Sequence, residues 1–475
     1  MTPASQSLDT TRMTWRDKGV LLILCGAIFL EGLDIAMLNV ALPYIRADLD
    51  LSTSMLSAVA GSYVLAYAGF MLLGGRICDL FGRRRVFLLS LAIFVLLSGV
   101  GGFATNGWTL LVSRFATGLA AAFMTPAGLS LITTSFAEGS QRNRAILIYA
   151  GAASAGYSLG LMAGGVLTET SWRLVFLVPA AVAAIILLFG TALIGESRER
   201  DRTGSFDLAG ALVLTTAMVC AAAAIVSLER LGRLPVSAGL CAASLFLGWV
   251  FVRIEKNKPA PLLRLGVFKL KSLVRANIAM LLFGASFFGF QFVVTLYLQE
   301  LLRWSPTETG LAIIVVSIDA ILAPTVTPIF VARYGKTRTI VAGLILAAVA
   351  FGLFLRMQHD WTYASMFPTM LLLGLGFALA YGPLTIVATD GVAAEEQGLA
   401  SSLVNCSFQF GAGIGLATAG ALAALAAPGD AADLRLEALR LAMILPVAGT
   451  IAAVFAMAGN RNSDISPFGK EANQA

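Results

Sequence analysis

The sequence predicts an all-α integral membrane protein, with two six-helix halves and an extra helix pair between them. Three observations carry this. The chain of 475 residues is 58% hydrophobic and only 13% charged, with a mean hydropathy of +0.84. Soluble domains of this size do not have that balance. Apolar runs of about 20 residues, the length that crosses a bilayer, recur along the whole chain. A glycine-and-arginine cluster after the second run, Gly75-Arg-Ile-Cys-Asp79-Leu-Phe-Gly82-Arg83-Arg84-Arg85, has a weaker echo after the tenth, Ala332-Arg-Tyr-Gly335-Lys336-Thr-Arg338. Gly82 aligns with Gly335, so each cluster follows the second helix of its half. Repeats of this kind are the building plan of many secondary transporters.

Fourteen segments follow in order: 18–43, 54–75, 86–105, 108–134, 145–167, 174–195, 206–228, 235–254, 273–298, 307–331, 339–357, 363–388, 397–425 and 440–459. The first is preceded by about 17 mostly polar residues and followed by no small-residue cleavage site, unlike a signal peptide. The predicted organisation is a cytoplasmic N-terminus (1–17), an N-terminal six-helix bundle (18–195), an inserted pair (206–254), a cytoplasmic loop (255–272), a C-terminal six-helix bundle (273–459) and a cytoplasmic tail (460–475). Lysine and arginine set the orientation. With the N-terminus in the cytoplasm, 24 of the 33 basic residues fall in inside segments and 8 in outside loops. That bias accounts for the net charge of +6 without nucleic acid as a partner. The five cysteines, Cys25, Cys78, Cys220, Cys241 and Cys406, have no metal or redox spacing. The single histidine, His359, cannot make a zinc site alone.

The first segment carries the main chemical signal. Glu31 and Asp34 lie mid-helix, three residues apart, and so share one face. A charge at the bilayer centre costs roughly 2.5–3.5 kcal/mol on insertion scales. That face must therefore look into protein or a watery cavity. Arg114, inside the fourth segment, needs an anion or carbonyls. Asp319 lies near the centre of the tenth segment, in Val-Val-Ser-Ile-Asp-Ala-Ile-Leu.

At these residues the sequence resembles the major facilitator superfamily, in its fourteen-helix drug:proton antiporter branch, over nearly the whole chain. The cluster from Gly75 to Arg85 is similar to that superfamily's loop 2–3 signature. Leu33-Asp34 followed by Asn39-Val-Ala-Leu-Pro43 resembles the first-helix signature, and Arg114-x-x-x-Gly118 the fourth-helix one. Trp172-Arg173, Phe206-Asp207-Leu-Ala-Gly210, Tyr297-Leu-Gln299, Ser305-Pro306 with Gly310, and Gly398-Leu-Ala-Ser401 are further matches in the right order. Two positions depart. Thr117 stands where glutamine is usual. The fifth-segment antiporter signature usually has Gly-Pro but here reads Gly156-Tyr-Ser-Leu-Gly160-Leu161-Met-Ala-Gly164-Gly165, which removes a kink point.

The resemblance implies a secondary transporter rather than an enzyme. In this superfamily the first and fourth helices are neighbours, so Arg114 can meet Glu31 or Asp34. Burial disfavours a charged carboxylate and a guanidinium favours it. Asp34 is therefore the leading proton carrier, with Glu31, Arg114 and Asp319 as further candidates. A static ion pair is the competing reading. Asp319 also suits a cationic substrate. Tyr63, Tyr67, Tyr157, Phe287, Gln291, Tyr381, Asn405 and Gln409 form the expected binding wall. Phe70, Phe283 and Phe290 lie at the same helical spacings, and ordinary packing is the competing reading for all of them. Gly75, Asp79, Gly82, Arg83 and Arg84 would form a conformational latch, with Gly75 and Gly82 allowing close helix approach and a tight turn. Gly156, Gly160, Gly164 and Gly165, spaced for close helix approach, are expected at the interface between the halves.

The resulting expectation is a monomeric, multi-pass exporter in a bacterial inner membrane, with both termini cytoplasmic. It would expel small amphipathic compounds, organic cations or antibiotics among them, in exchange for protons. No cofactor is expected, since no Gly-x-x-x-x-Gly-Lys-Ser/Thr run occurs. One alternative is a carrier of a sugar, amino acid, siderophore or lipid, with different or no proton coupling. Another is an integral-membrane enzyme, which the lone histidine disfavours.

Overall fold

The computed structural model describes residues 14–136, 140–195, 208–227, 234–258, 266, 269–390, 392, 397–424 and 432–458. The predicted tail 460–475, the N-terminus up to residue 13 and much of the loop 255–272 lie outside the described residues. Among those described, the chain is helical without strands.

The N-terminal half contains α1 (Trp15–Leu49), α2 (Thr53–Phe81), α3 (Arg83–Gly102), α4 (Gly107–Ser135), α5 (Ser140–Thr170) and α6 (Leu174–Leu193). The pair α7 (Leu208–Ser227) and α8 (Leu234–Lys256) follows. The C-terminal half contains α9 (Lys271–Leu296), α10 (Pro306–Ile313), α11 (Asp319–Thr325), α12 (Thr327–Tyr334), α13 (Lys336–Phe354), α14 (Tyr363–Thr389), α15 (Gln397–Ala423) and α16 (Ala432–Ala458). Short polar caps begin several of them. Thr14 and Asp17 make a capping box for α1, Ser52 and Asn106 cap α2 and α4, and Ser305 with Glu308 boxes α10. Twelve helices are long and apolar enough to cross a membrane among the described residues. The sequence predicts fourteen; the described apolar stretches of α2 and α7 are shorter, Met55–Met71 and Leu212–Ala221.

The two halves pack by the same plan. In the first, α1 lies on α5, α2 on α4, and α3 on α4 and α6; in the second, α9 lies on α15, and α13 on α14 and α16. The halves meet along two seams, α2 with α15 and α5 with α10. The α7–α8 pair packs on itself and against α2 and α15, beside the first seam.

The repeat seen in the sequence has a conformational basis. Gly82 joins α2 to α3 with φ +90° and ψ 130°; Gly335 joins α12 to α13 with φ +85° and ψ 160°. A side chain at such angles costs of order 1–3 kcal/mol. Gly82→Ala and Gly335→Ala are therefore each expected to lower thermal stability in detergent by about that much, measured against the parent chain.

Three expectations need correction. The tenth segment is not one helix. A 3-10 stretch, Ile314–Ile318, separates α10 from α11, and the chain breaks again at Val326. The cause is in the sequence: a β-branched run, Ile313-Ile-Val-Val, weakens helix propensity, and Pro324 and Pro328 remove backbone donors. The fifth-helix glycines mostly do not face the other half. A Cβ on Gly156, Gly160 or Gly164 would run into Phe29, Leu33 or Met37, all on α1 of the same bundle. Gly165 alone of the four meets the other half, at Pro306 and Thr307. Finally, Gly74 rather than Gly75 makes the close approach of α2 to α4, against Ala122.

Candidate functional site

The acid-bearing face of α1 is buried against α2 and α4. Glu31, Asp34 and Arg114 are 5%, 2% and 1% exposed. Arg114 donates from Nη1 to Asp34 Oδ2 at 2.6 Å. Its guanidinium lies over the Tyr63 ring, 4.4 Å from the centroid, with Phe176 at 5.9 Å. Such stacking lets a low-dielectric site hold a guanidinium. Tyr67 stacks parallel to Tyr63, with centroids 6.4 Å apart. Thr125 donates its hydroxyl to Glu31, and the Tyr67 hydroxyl is in electrostatic reach of the same carboxyl. Tyr149 contacts the Thr125 carbonyl at 3.4 Å. Among the described residues, Arg114 Nε and the Tyr63 hydroxyl are buried without a hydrogen-bond partner. Thr117, which replaces the usual glutamine, bonds to the carbonyls of its own helix at Ser113 and Arg114. It therefore leaves the ion pair to its two members.

Desolvating two charges costs several kcal/mol per ion, and their attraction offsets this only with good geometry. The pair is thus sensitive to any change of solvation or of protonation on Asp34. Glu31, one helical turn away, has its own hydroxyl donor, Thr125, and no arginine contact among the described residues. The two carboxylates share a face but sit in different chemistry.

A second polar group bridges the halves further along α1. Asn39 donates to Gln291 Oε1 at 3.2 Å, and the Tyr157 hydroxyl donates to the same atom at 2.5 Å. Gln291 Nε2 is buried without a partner among the described residues. Asp319, half-buried at the start of α11, is in electrostatic reach of the Tyr157 and Tyr381 hydroxyls. Tyr381 stacks on Phe377 with centroids 5.2 Å apart, and Phe377 also meets Phe287 at 4.8 Å. Phe408 closes on Tyr381 at 5.1 Å. Asn405 is half-buried, and Gln409 is buried with Oε1 unpaired among the described residues.

The structure therefore divides the predicted wall in two. Tyr157, Gln291, Asp319, Tyr381 and Phe287 lie along the seam and its C-terminal side. Tyr63 and Tyr67 belong to the acid–arginine cluster. Phe290 turns to α13 and packs on Phe351 and Phe354. Sequence reasoning missed Thr125, Tyr149, Phe377 and Phe408 as site neighbours, and quoted Asn39 without giving it a role. In the first turn of α3, Arg84 donates to the Thr191 carbonyl at 2.8 Å, at the end of α6 within its own bundle. The Asp79 side chain lies outside the described residues.

Two matched helical bundles, twelve helices long and apolar enough to cross a membrane among the described residues, and a buried acid–arginine pair inside the first bundle fit a membrane transporter. The chain belongs to the Major Facilitator Superfamily, whose sequence profile matches residues 24–416. It is 33% identical to the cephamycin export protein CmcT of Amycolatopsis lactamdurans over 91% of this chain and 92% of that one. It is also 33% identical to the puromycin resistance protein pur8 of Streptomyces alboniger, over 84% and 80% respectively. The crystal structure of the POT family transporter PepTSo superposes with a TM-score of 0.70 at 15% identity, over 95% of this chain and all of that one. The chain is thus a multi-pass membrane transporter of small molecules, not an enzyme.

Proposed function

We propose that this transporter exports small amphipathic, antibiotic-like compounds in exchange for protons, without a resident cofactor. The observation that carries the reading is the buried Asp34–Arg114 pair beside Glu31 on one face of α1. Protonating Asp34 releases Arg114 from its counter-ion and alters the packing between α1 and α4. Kinship with a cephamycin export protein and a puromycin resistance protein supports export and the cargo class. Inward proton movement supplies about 2.3 kcal/mol per 100 mV from the electrical term. The positive bias of the loops supports cytoplasmic termini and an inner-membrane location, and the chain is taken to act as a monomer. Asp319, with Tyr157 and Tyr381 nearby, is the proposed contact for a cationic group on the cargo.

Proteoliposomes with a preset pH gradient test this. Adding cargo is expected to collapse the gradient, and Asp319→Asn to weaken the response to dicationic cargo about tenfold more than to monocationic cargo. A gradient untouched by any transported compound defeats proton exchange. Equal losses for both cargo charges defeat the role of Asp319.

A further inference from the structure

The end of the bundle remote from the chain's N-terminus, where α1 finishes and α10 begins, carries charges that the acid–arginine cluster does not involve. α9 is regular to Leu296 and then widens into a π turn, Tyr297–Leu301. Such turns are uncommon and concentrate at functional positions. Here the turn brings two consecutive side chains onto α1. Gln299 Nε2 donates to the Val40 carbonyl at 2.8 Å. Glu300 accepts from Arg46 Nη1 with both oxygens, at 2.9 and 3.1 Å. Glu300 has a second cation: Arg435, on α16 of its own half, donates to Oε2 at 2.7 Å. All three side chains are shielded, at 11%, 18% and 20% exposure for Arg46, Glu300 and Arg435. Just beyond, Arg303 is held at φ +64°, a strained angle for a residue with a side chain.

The arrangement is asymmetric. Arg46 belongs to the N-terminal half; Glu300 and Arg435 belong to the C-terminal half. When the halves part at this end, Arg46 leaves while Glu300 keeps Arg435. A carboxylate with one partner would be stranded in a partly desolvated site, which is costly. A carboxylate with two is never left unpaired.

We propose that Glu300 is the lock of this gate and that Arg435 sets how easily it opens, by taking over the carboxylate when Arg46 departs. Arg46–Glu300 holds the closed state. Arg435 lowers the cost of leaving it, because it neutralises Glu300 in both states and dilutes the cross-half pair in the closed one. The proposal needs bundle motion but neither proton exchange nor a particular cargo, so it stands or falls separately from the proposed function.

The test is thiol labelling of the full chain in lipid nanodiscs, where both faces are open to reagent. Leu296, 3% exposed and lining the small cleft beside Arg46, Glu300 and Arg435, is replaced by cysteine after removal of the five native cysteines. Arg46→Gln and Glu300→Gln are expected to speed maleimide labelling about fivefold, and Arg435→Gln to slow it about threefold. A mere change of local charge on the thiol would instead slow labelling in Arg46→Gln. Arg46→Lys should keep the parent rate. Labelling of Arg435→Gln at or above the parent rate overturns the proposal, as does an unchanged rate in Arg46→Gln. Should Glu300→Gln fail to elute as a single species, Arg46→Gln reads the same contact.

Discussion

Asp34→Asn is expected to abolish gradient-driven export and to destabilise the folded chain at the same time. The first effect follows from the proposed role of Asp34. An amide has no proton to exchange in this range and cannot drop Arg114 on a pH signal. The second follows from geometry alone. Arg114 is 1% exposed, and its described anionic partner is Asp34 at 2.6 Å. Removing one member of a buried pair costs roughly 3–5 kcal/mol, because the other charge stays buried and unmatched. The Tyr63 ring beneath the guanidinium tempers that loss without replacing the carboxylate. Arg114→Gln is expected to destabilise in the same way by stranding Asp34. The double variant, Asp34→Asn with Arg114→Gln, should be more stable than either single one, since it leaves no lone charge. Transport in proteoliposomes and thermal melting in detergent separate the two claims. Full pH-driven export by Asp34→Asn would remove Asp34 from the proton path. Additive stability losses in the double variant would show that the pair is not coupled.

The second large effect concerns glycines that hold helix pairs backbone to backbone. A Cβ on Gly156 would collide with the Phe29 carbonyl, and on Gly411 with that of Leu281; Gly415 meets Ala285. In lipid, helix association depends on such close packing rather than on water exclusion. Gly156→Val and Gly411→Val are expected to give no monodisperse protein. Alanine at the same positions should cost about 1–3 kcal/mol or more, as overpacking does. Gly151 and Gly239 are the controls, because a Cβ there meets nothing within 4 Å. Alanine at those positions should be neutral or stabilise by up to about 1 kcal/mol through helix propensity alone. The opposite signs make the experiment decisive. Equal tolerance at Gly156 and Gly151 would refute the packing argument.

These cases show what a linear sequence can and cannot reveal. Glu31, Asp34 and Arg114 were legible because charge in an apolar helix is costly, and the spacing of Glu31 and Asp34 fixes a shared face. The pairing of Asp34 rather than Glu31 with Arg114 was not legible, since a difference of three residues is one turn of helix. A spacing of four told that Gly156, Gly160 and Gly164 make a groove, but a groove does not say which helix fills it. Tyr63 and Tyr67 were assigned to the binding wall as aromatic residues at helical spacing; only the position of α4 turns that face toward the acids. The break in the tenth segment did have a signal, Pro324 and Pro328 after a β-branched run. The π turn at Tyr297–Leu301 had none, because its residues suit an ordinary helix equally well.

The broken segment has a mechanical consequence. α2 runs unbroken from Thr53 to Phe81, while its counterpart from Pro306 to Tyr334 is divided by a 3-10 stretch and a proline break. Rods of equal length but unequal stiffness do not share a load equally. A force that tilts both bundles will leave α2 straight and flex its counterpart near Asp319, so the two bundles, alike in plan, are unlike as levers.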